Sequence, residues 1–137
     1  MTVVLYTNVI SELVRLRPEA KVIAFLERVE APIVSAIVFH ELAYGVERLR
    51  DAARRMKLDM FLQGVKAIYE GHIVVVDQAL AEQAGRLRAQ ASRSGWVLSQ
   101  FDSIIAATAI ARNAQLATRN VGDFERLGLS LINPWLD

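Results

Sequence analysis

The sequence predicts an α/β fold in which helices cover both faces of a central, mainly parallel sheet. Short apolar runs rich in β-branched residues alternate with longer helical patterns from one end of the chain to the other, and this alternation is typical of parallel sheets. The length of 137 residues indicates a single domain, residues 1–137. With 53% hydrophobic residues, the chain has enough apolar side chains to build its own core.

Composition and charge exclude several classes of protein. The chain has no cysteine, so it forms no disulfide and has neither a thiolate metal site nor a cysteine nucleophile. The net charge of +1 predicts that any contact with nucleic acid depends on a local patch. No apolar run reaches the roughly 20 residues that span a bilayer, and the N-terminus lacks the basic region of a signal peptide. We therefore expect a cytoplasmic protein that does not enter a membrane.

The first half of the chain begins with a buried strand at residues 2–6, because TVVLY is apolar and rich in β-branched side chains. Thr7 or Asn8 is then expected to cap a helix at 9–16. Pro18 suits the first turn of the helix that follows. The remaining elements of this half are a helix at 19–29, a strand at 33–35, a helix at 36–49 capped by Ser35 and a helix at 51–69.

The second half is organised around an apolar helix. Ser99 is predicted to cap this helix and Asp102 to lie in its first turn. Because Thr108 is the only polar residue from 104 to 111, we expect the helix to be buried all round. The other elements of this half are a strand at 73–76, a helix at 78–93, a strand at 115–118, a loop or helical turn at 120–128 and a strand at 129–132.

Polar side chains gather where the predicted strands end, which is the edge at which open parallel sheets bind ligands. A cluster of carboxylates there repels itself unless a cation neutralises it. Oxygen ligands without cysteine or a histidine pair favour Mg²⁺ or Mn²⁺ over Zn²⁺. Such an ion activates water for phosphodiester hydrolysis. The residues concerned are Tyr6, Thr7 and Asn8 after the first strand, Glu41 after the second, Asp102, and Asn120 and Asp123 after the strand at 115–118.

Each acid also has a purely structural interpretation. Asp102 fits a capping box with Ser99. Glu41 lies beside an apolar stripe, where its desolvation would be offset by a partner such as Arg48. Asp123 can cap the turn at 124–127. If all three interpretations hold, the chain is a plain α/β domain with capping acids.

The sequence resembles PIN-domain proteins of the VapC toxin group, in particular the FitB-like branch, over nearly the whole chain. The resemblance implies an α/β/α sandwich with Mg²⁺- or Mn²⁺-dependent endoribonuclease activity on RNA. It also implies a homodimer that joins a VapB-type antitoxin in a larger hetero-oligomer and contacts DNA only through that antitoxin. Its motifs are VVLYTNVISEL at 3–13, SAIVFHELAYGVERL at 35–49, FDSIIAATAIA at 101–111, LATRNVGDF at 116–124 and LINPW at 131–135.

The resemblance also assigns the site residues. Glu41 matches the helix-borne acid of the family, and Asp102 matches its central acid. For the fourth acid of the family, Asp123 is the preferred match, and Asn120 is then a neutral oxygen donor or helper. Thr7 and Asn8 match the small polar residues after the first strand, which orient waters or the first acid.

A basic cluster lies at the junction of the helices predicted at 36–49 and 51–69 and at the start of the second one. It is either a solvated face or a contact with RNA phosphates or the antitoxin. Its members are Arg48, Arg50, Arg54, Arg55 and Lys57.

Tyr6 departs from the family pattern, which places an aspartate directly before Thr-Asn. A tyrosine hydroxyl has an ordinary pKa of about 10 and is neutral at pH 7. It therefore lacks the charge of a carboxylate, and its ring fills volume needed by metal and water. We expect this chain to bind metal poorly and to cleave RNA weakly or not at all. The alternative is a catalytically dead binding subunit that pairs with a DNA-binding antitoxin in repression of its own operon.

Overall fold

Five strands form a parallel sheet in the computed structural model, which describes residues 2–137. Their order across the sheet is β3-β2-β1-β4-β5, and every neighbouring pair is parallel. The predicted α/β class with its central parallel sheet is thus confirmed. In chain order the strands are β1 (Thr2–Leu5), β2 (Ala31–Ser35), β3 (Ile73–Val74), β4 (Gln115–Ala117) and β5 (Leu131–Ile132).

Six α-helices flank this sheet in the described part of the chain. Within residues 2–137, no helix is both long and apolar enough to cross a membrane. Short 3-10 helices follow α1 at Glu12–Val14 and follow β4 at Val121–Asp123 and Glu125–Leu127. The six helices are α1 (Thr7–Ser11), α2 (Ala20–Arg28), α3 (Ala36–Glu47), α4 (Ala52–Ile68), α5 (Gln78–Arg93) and α6 (Gln100–Ala111).

The core lies around β1 and α6. Val4 is fully buried and pairs with Ile33 on one side and Leu116 on the other, as expected for a central strand covered on both faces. Residues 103–109 of α6 are all buried. Several of them are alanines, whose small side chains let α6 pack closely on both β1 and α5. The prediction of a buried apolar helix is confirmed for residues 103–109, whereas Ile110 and Ala111 at its end are exposed.

Helix caps explain where several helices begin. Ser99 Oγ accepts a hydrogen bond from Asp102 N at 3.0 Å, and Ser35 Oγ accepts one from Ile37 N at 3.3 Å. Asp51 and Asp77 cap α4 and α5 in the same way. These side chains satisfy N–H groups that have no partner within the helix, and the predicted caps at Ser35 and Ser99 are confirmed.

The predicted start of the first helix is wrong. Thr7 and Asn8 lie inside α1, and Tyr6 occupies the N-cap position without a side-chain hydrogen bond. The first strand therefore ends at Leu5, not at residue 6. The helix is also shorter than predicted, because its last turn tightens into the 3-10 helix Glu12–Val14.

Several strands have boundaries that differ from the prediction, because pairing with neighbouring strands sets where each strand begins and ends. β2 begins at Ala31, because Pro32 pairs with Val3 of β1. The lost N–H of Pro32 is tolerated since pairing with β3 begins only at Val34. The strands predicted at 73–76 and 129–132 are reduced to two paired residues each, as β3 and β5 lie at the sheet edges.

The strand order places a topological switch point between β1 and β4. From β1 the chain moves outward to β2 and β3, and then returns to the other side of β1 to form β4 and β5. Crossovers that leave in opposite directions open a crevice outside the carboxyl ends of the two central strands. The segments that follow β1 and β4 therefore meet at this crevice.

Candidate active site

Tyr6 lies at the end of β1 in the crevice. Its backbone N–H donates to the carbonyl oxygen of Ala117 in β4 at 3.0 Å. Its partly buried ring meets Phe101 and Phe124 edge to face, with ring centroids 5.6 and 5.7 Å apart. Such edge contacts between aromatic rings are favourable, so an aromatic side chain at position 6 fits its surroundings.

The Tyr6 hydroxyl donates a hydrogen bond to Asp102 Oδ1 at 2.7 Å. This contact joins the end of β1 to the first turn of α6, across 96 positions of sequence. Asp102 enters the crevice because Ser99 caps α6 through the Asp102 backbone N–H. The Asp102 carboxylate thus faces Tyr6 as well as the Ser99 cap.

Burial and the neighbouring carboxylates suppress ionisation of Tyr6. Its pKa lies far above the ordinary value of 10, first because the ring is buried and then because the hydroxyl donates to Asp102. The negative charges of Asp102, Asp123 and Glu41 raise the pKa further. The hydroxyl is therefore neutral at every physiological pH, and all three predicted acids lie close enough to act on it.

Asp102 is the perturbed acid of the group. Burial raises its pKa above the ordinary 3.8, and the charge of Asp123 adds to the rise. Hydrogen bonds from Tyr6 and Ser99 oppose this shift by stabilising the carboxylate form. The carboxylate is therefore an electrostatically costly feature of the fold, as acids at functional sites often are.

Two structural interpretations of the other acids are wrong. Glu41 is exposed, so it needs no partner to offset desolvation, and within residues 2–137 it forms no ion pair. Arg48 instead stacks on Tyr44, with its guanidinium carbon 5.7 Å from the ring centroid. Asp123 is exposed as the last residue of its 3-10 helix and caps neither of the two turns after β4.

The small polar residues take mixed positions. Asn8 Oδ1 accepts a hydrogen bond from Arg119 N at 3.5 Å, which ties α1 to the segment after β4. Asn120 N donates to Thr118 Oγ1 at 3.0 Å, and its own side chain is exposed. Thr7 Oγ1 is buried without a hydrogen-bond partner among residues 2–137. Such an unsatisfied hydroxyl is where a water or a polar ligand would be expected.

The described residues do not fit a divalent cation as they are arranged. In residues 2–137 no three carboxylate or imidazole side chains lie close enough together to hold a metal ion. An oxygen of Asp102 that could bind a metal accepts the Tyr6 hydroxyl instead. Tyr6 supplies neither negative charge nor a bidentate pair of oxygens, and its ring packs against Phe101 and Phe124.

Two features of this crevice were missed in the sequence. The first is the pair of aromatic rings, Phe101 and Phe124, that contact the Tyr6 ring edge to face. Trp96 packs against the core, and the Arg126 guanidinium carbon lies 5.4 Å from its ring centroid. The position of Phe101, just before Asp102, was the available signal for the first feature. Trp96 and Arg126 are 30 residues apart, so no local sequence pattern indicates that their side chains are in contact.

Comparison with known proteins gives consistent matches along the chain. Residues 3–129 match the PIN domain family. The chain is 38% identical to VapC ribonuclease Y4jK of Sinorhizobium fredii, with 97% of each chain covered. It is 33% identical to Toxin FitB of Neisseria gonorrhoeae, covering 98% of this chain and 99% of that protein. Among solved structures, a chain of FitAB bound to an IR36 DNA fragment superposes with a TM-score of 0.87 at 32% identity, covering 97% of this chain and 95% of that one.

Proposed function

This chain belongs to the PIN-domain family, in its group of VapC and FitB toxins, and we propose that it is the toxin of a type II toxin–antitoxin system with endoribonuclease chemistry on RNA. The observation that carries the proposal is the grouping of Glu41, Asp102 and Asp123 around Tyr6 at the switch point of the sheet. Full-length similarity to a protein named a VapC ribonuclease supports the reaction class.

The proposed site consists of Glu41, Asp102 and Asp123, with Tyr6 at the position of the first acid. Thr7, Asn8 and Asn120 are the supporting polar residues. PIN nucleases generally depend on a divalent metal ion, and the ion proposed for an active form of this site is Mg²⁺ or Mn²⁺. Because the Tyr6 hydroxyl donates to Asp102 and carries no negative charge, we propose that this chain binds such an ion poorly and cleaves RNA weakly or not at all.

The second candidate is a catalytically dead PIN-fold subunit. In this role the chain would bind a VapB-type antitoxin that carries the DNA contacts for repression of their operon. The Tyr6–Asp102 hydrogen bond favours this candidate, because it satisfies the central acid without a metal. The related FitAB structure, which is bound to DNA, supports such an assembly. We also propose that the protein forms a homodimer, that residues 1–137 make up a single domain, and that the protein is cytoplasmic.

The experiment is RNA cleavage by the chain purified free of antitoxin, with Mn²⁺ or Mg²⁺, compared with Tyr6→Asp. We expect measurable cleavage only by Tyr6→Asp, because the substitution supplies the missing carboxylate and vacates the ring volume. Adding Asp102→Asn to Tyr6→Asp should abolish the cleavage. Adding Asp59→Asn, an exposed acid on α4 outside the site, should leave it unchanged.

The outcomes separate the two candidates. Equal cleavage by both chains would mean that Tyr6 is tolerated and that the three remaining acids suffice. Absence of cleavage by Tyr6→Asp, with thermal melting confirming that it is folded and with several structured and unstructured RNAs supplied, would refute the ribonuclease proposal and favour the binding subunit.

A further inference from the structure

A cleft of about 370 Å³ lies directly beside the acids. Trp96 and Ser99 form one wall, from the segment that leads into α6, and Arg126 comes from the 3-10 helix that follows the site. The cleft also shares Asp102 and Asp123 with the proposed site. Its volume is within the range of about 300–1,000 Å³ that is usual for ligand pockets. We call it the Arg126 cleft.

Among residues 2–137, Arg126 is the only lysine or arginine that lines this cleft. In the part of the chain that the structure describes, its guanidinium has no carboxylate within 4.0 Å. It rests on Trp96, with 5.4 Å between the guanidinium carbon and the ring centroid. Trp96 is partly buried against the core, so the cation–π contact holds Arg126 at the wall of the cleft while its N–H groups stay available.

The charges of the cleft indicate what it can bind. Asp102 and Asp123 repel any anion that approaches the site, and a phosphate group beside them needs a cation to offset that repulsion. An arginine fork matches the oxygens of a phosphate and binds them through paired, charge-assisted hydrogen bonds. An exposed arginine held on a rigid aromatic ring next to acids of a nuclease family is therefore suited to a backbone phosphate.

We propose that Arg126, positioned by Trp96, binds a backbone phosphate of single-stranded RNA next to the carboxylate site. The inference rests on the proposed function in one respect, that the ligand is RNA. Arg126 contacts the RNA, and Trp96 acts through Arg126 as a positioning residue.

The experiment measures binding of a fluorescently labelled single-stranded RNA to the full chain by anisotropy, in EDTA so that no cleavage occurs, over a series of salt concentrations. Arg126→Gln should weaken binding about tenfold. It should also make the slope of log affinity against log salt less steep by about 0.7, which is the contribution of one phosphate contact to a single strand.

Arg28→Gln is the matched control. Arg28 also stacks on an aromatic ring, with 5.5 Å from its guanidinium carbon to the centroid of Phe25. It ends α2 just before β2 begins, so it lies at the amino edge of the sheet, away from the crevice. The same loss of charge at Arg28 should leave the salt slope unchanged.

Trp96 substitutions test the positioning role. Trp96→Leu should weaken RNA binding several-fold and lower the salt slope, because the guanidinium loses its aromatic support. Trp96→Phe should restore most of the affinity, since the ring face is retained. A merely structural role would make both variants less stable without moving the salt slope, so thermal melts accompany the binding curves.

Three results would overturn the proposal: no RNA binding by the unsubstituted chain, equal losses in Arg126→Gln and Arg28→Gln, or an unchanged salt slope in Arg126→Gln. An unchanged salt slope would indicate that the cleft binds a protein partner and not RNA. Failure here is distinguishable from failure of the proposed function. If Tyr6→Asp cleaves RNA and adding Arg126→Gln leaves its KM unchanged, only the phosphate site is refuted.

Discussion

Tyr6 is accommodated at the residue scale by contacts that an aspartate would not use. Phe101 and Phe124 pack edge-on against its ring, and Asp102 Oδ1 accepts a hydrogen bond from its hydroxyl. The site therefore tolerates Tyr6 as a packed and hydrogen-bonded side chain while losing one negative charge. This is the physical basis for expecting a folded protein with weakened metal chemistry.

Tyr6→Phe tests the contribution of the hydroxyl alone. The variant keeps the ring but removes the hydrogen bond that opposes the rise in the Asp102 pKa. We expect the Asp102 pKa to rise further, measured by NMR titration of the side-chain carboxyl carbon. Tyr69→Phe, on a buried tyrosine with no role in the Asp102 shift, should leave that pKa unchanged. A lower Asp102 pKa in Tyr6→Phe would contradict the assigned hydrogen bond.

Asp102→Asn tests the electrostatic cost of the central acid. Because folding raises the pKa of Asp102 above 3.8, the ionised carboxylate destabilises the folded state as pH rises through that raised pKa. The variant should therefore be more stable than the unsubstituted chain at pH 7, by less than about 1 kcal/mol because the group is partly solvated.

Urea unfolding at pH 7 and near pH 3 measures this difference. The advantage of Asp102→Asn should vanish at the lower pH, where Asp102 is protonated in both states. A variant that is clearly less stable than the parent at pH 7 would mean that Asp102 is a structural acid after all.

At the element scale, the sequence predicted α6 in most respects and missed its most informative contact. The Ser99 cap and the apolar run to residue 111 are local signals, so both could be read from the chain. The Tyr6–Asp102 contact joins two elements far apart in sequence, and no local pattern encodes it. The Thr7 cap was predicted wrongly because the backbone pairing of Tyr6 with Ala117 sets where α1 begins.

Paired cap substitutions separate helix stability from the site. Ser99→Ala and Asp77→Ala each remove a side-chain cap, from α6 and α5 respectively. Each should lower the free energy of unfolding by about 1 kcal/mol, measured by urea denaturation. Of the two variants, only Ser99→Ala should also raise the Asp102 pKa, because Ser99 stabilises that carboxylate and Asp77 does not. An unchanged Asp102 pKa in Ser99→Ala would contradict the described geometry of the first turn.

At the scale of the whole molecule, the parallel sheet was predictable but the strand order was not. Alternating strand and helix patterns fix the direction of the strands, whereas the return of β4 to the far side of β1 depends on packing of the entire chain. The sequence could thus place the polar residues at one edge of the sheet. It could not place them at the switch point between β1 and β4, which is what brings Asp123 near Tyr6.

The role of Tyr6 is tested most directly by titrating the unsubstituted chain and Tyr6→Asp with Mn²⁺, with binding followed by electron paramagnetic resonance and calorimetry. We expect Tyr6→Asp to bind one Mn²⁺ at least about tenfold more tightly than the unsubstituted chain, since the variant gains a charged oxygen ligand. Tight binding of Mn²⁺ by the unsubstituted chain, equal to that of the variant, would contradict the claim that Tyr6 occludes the metal site.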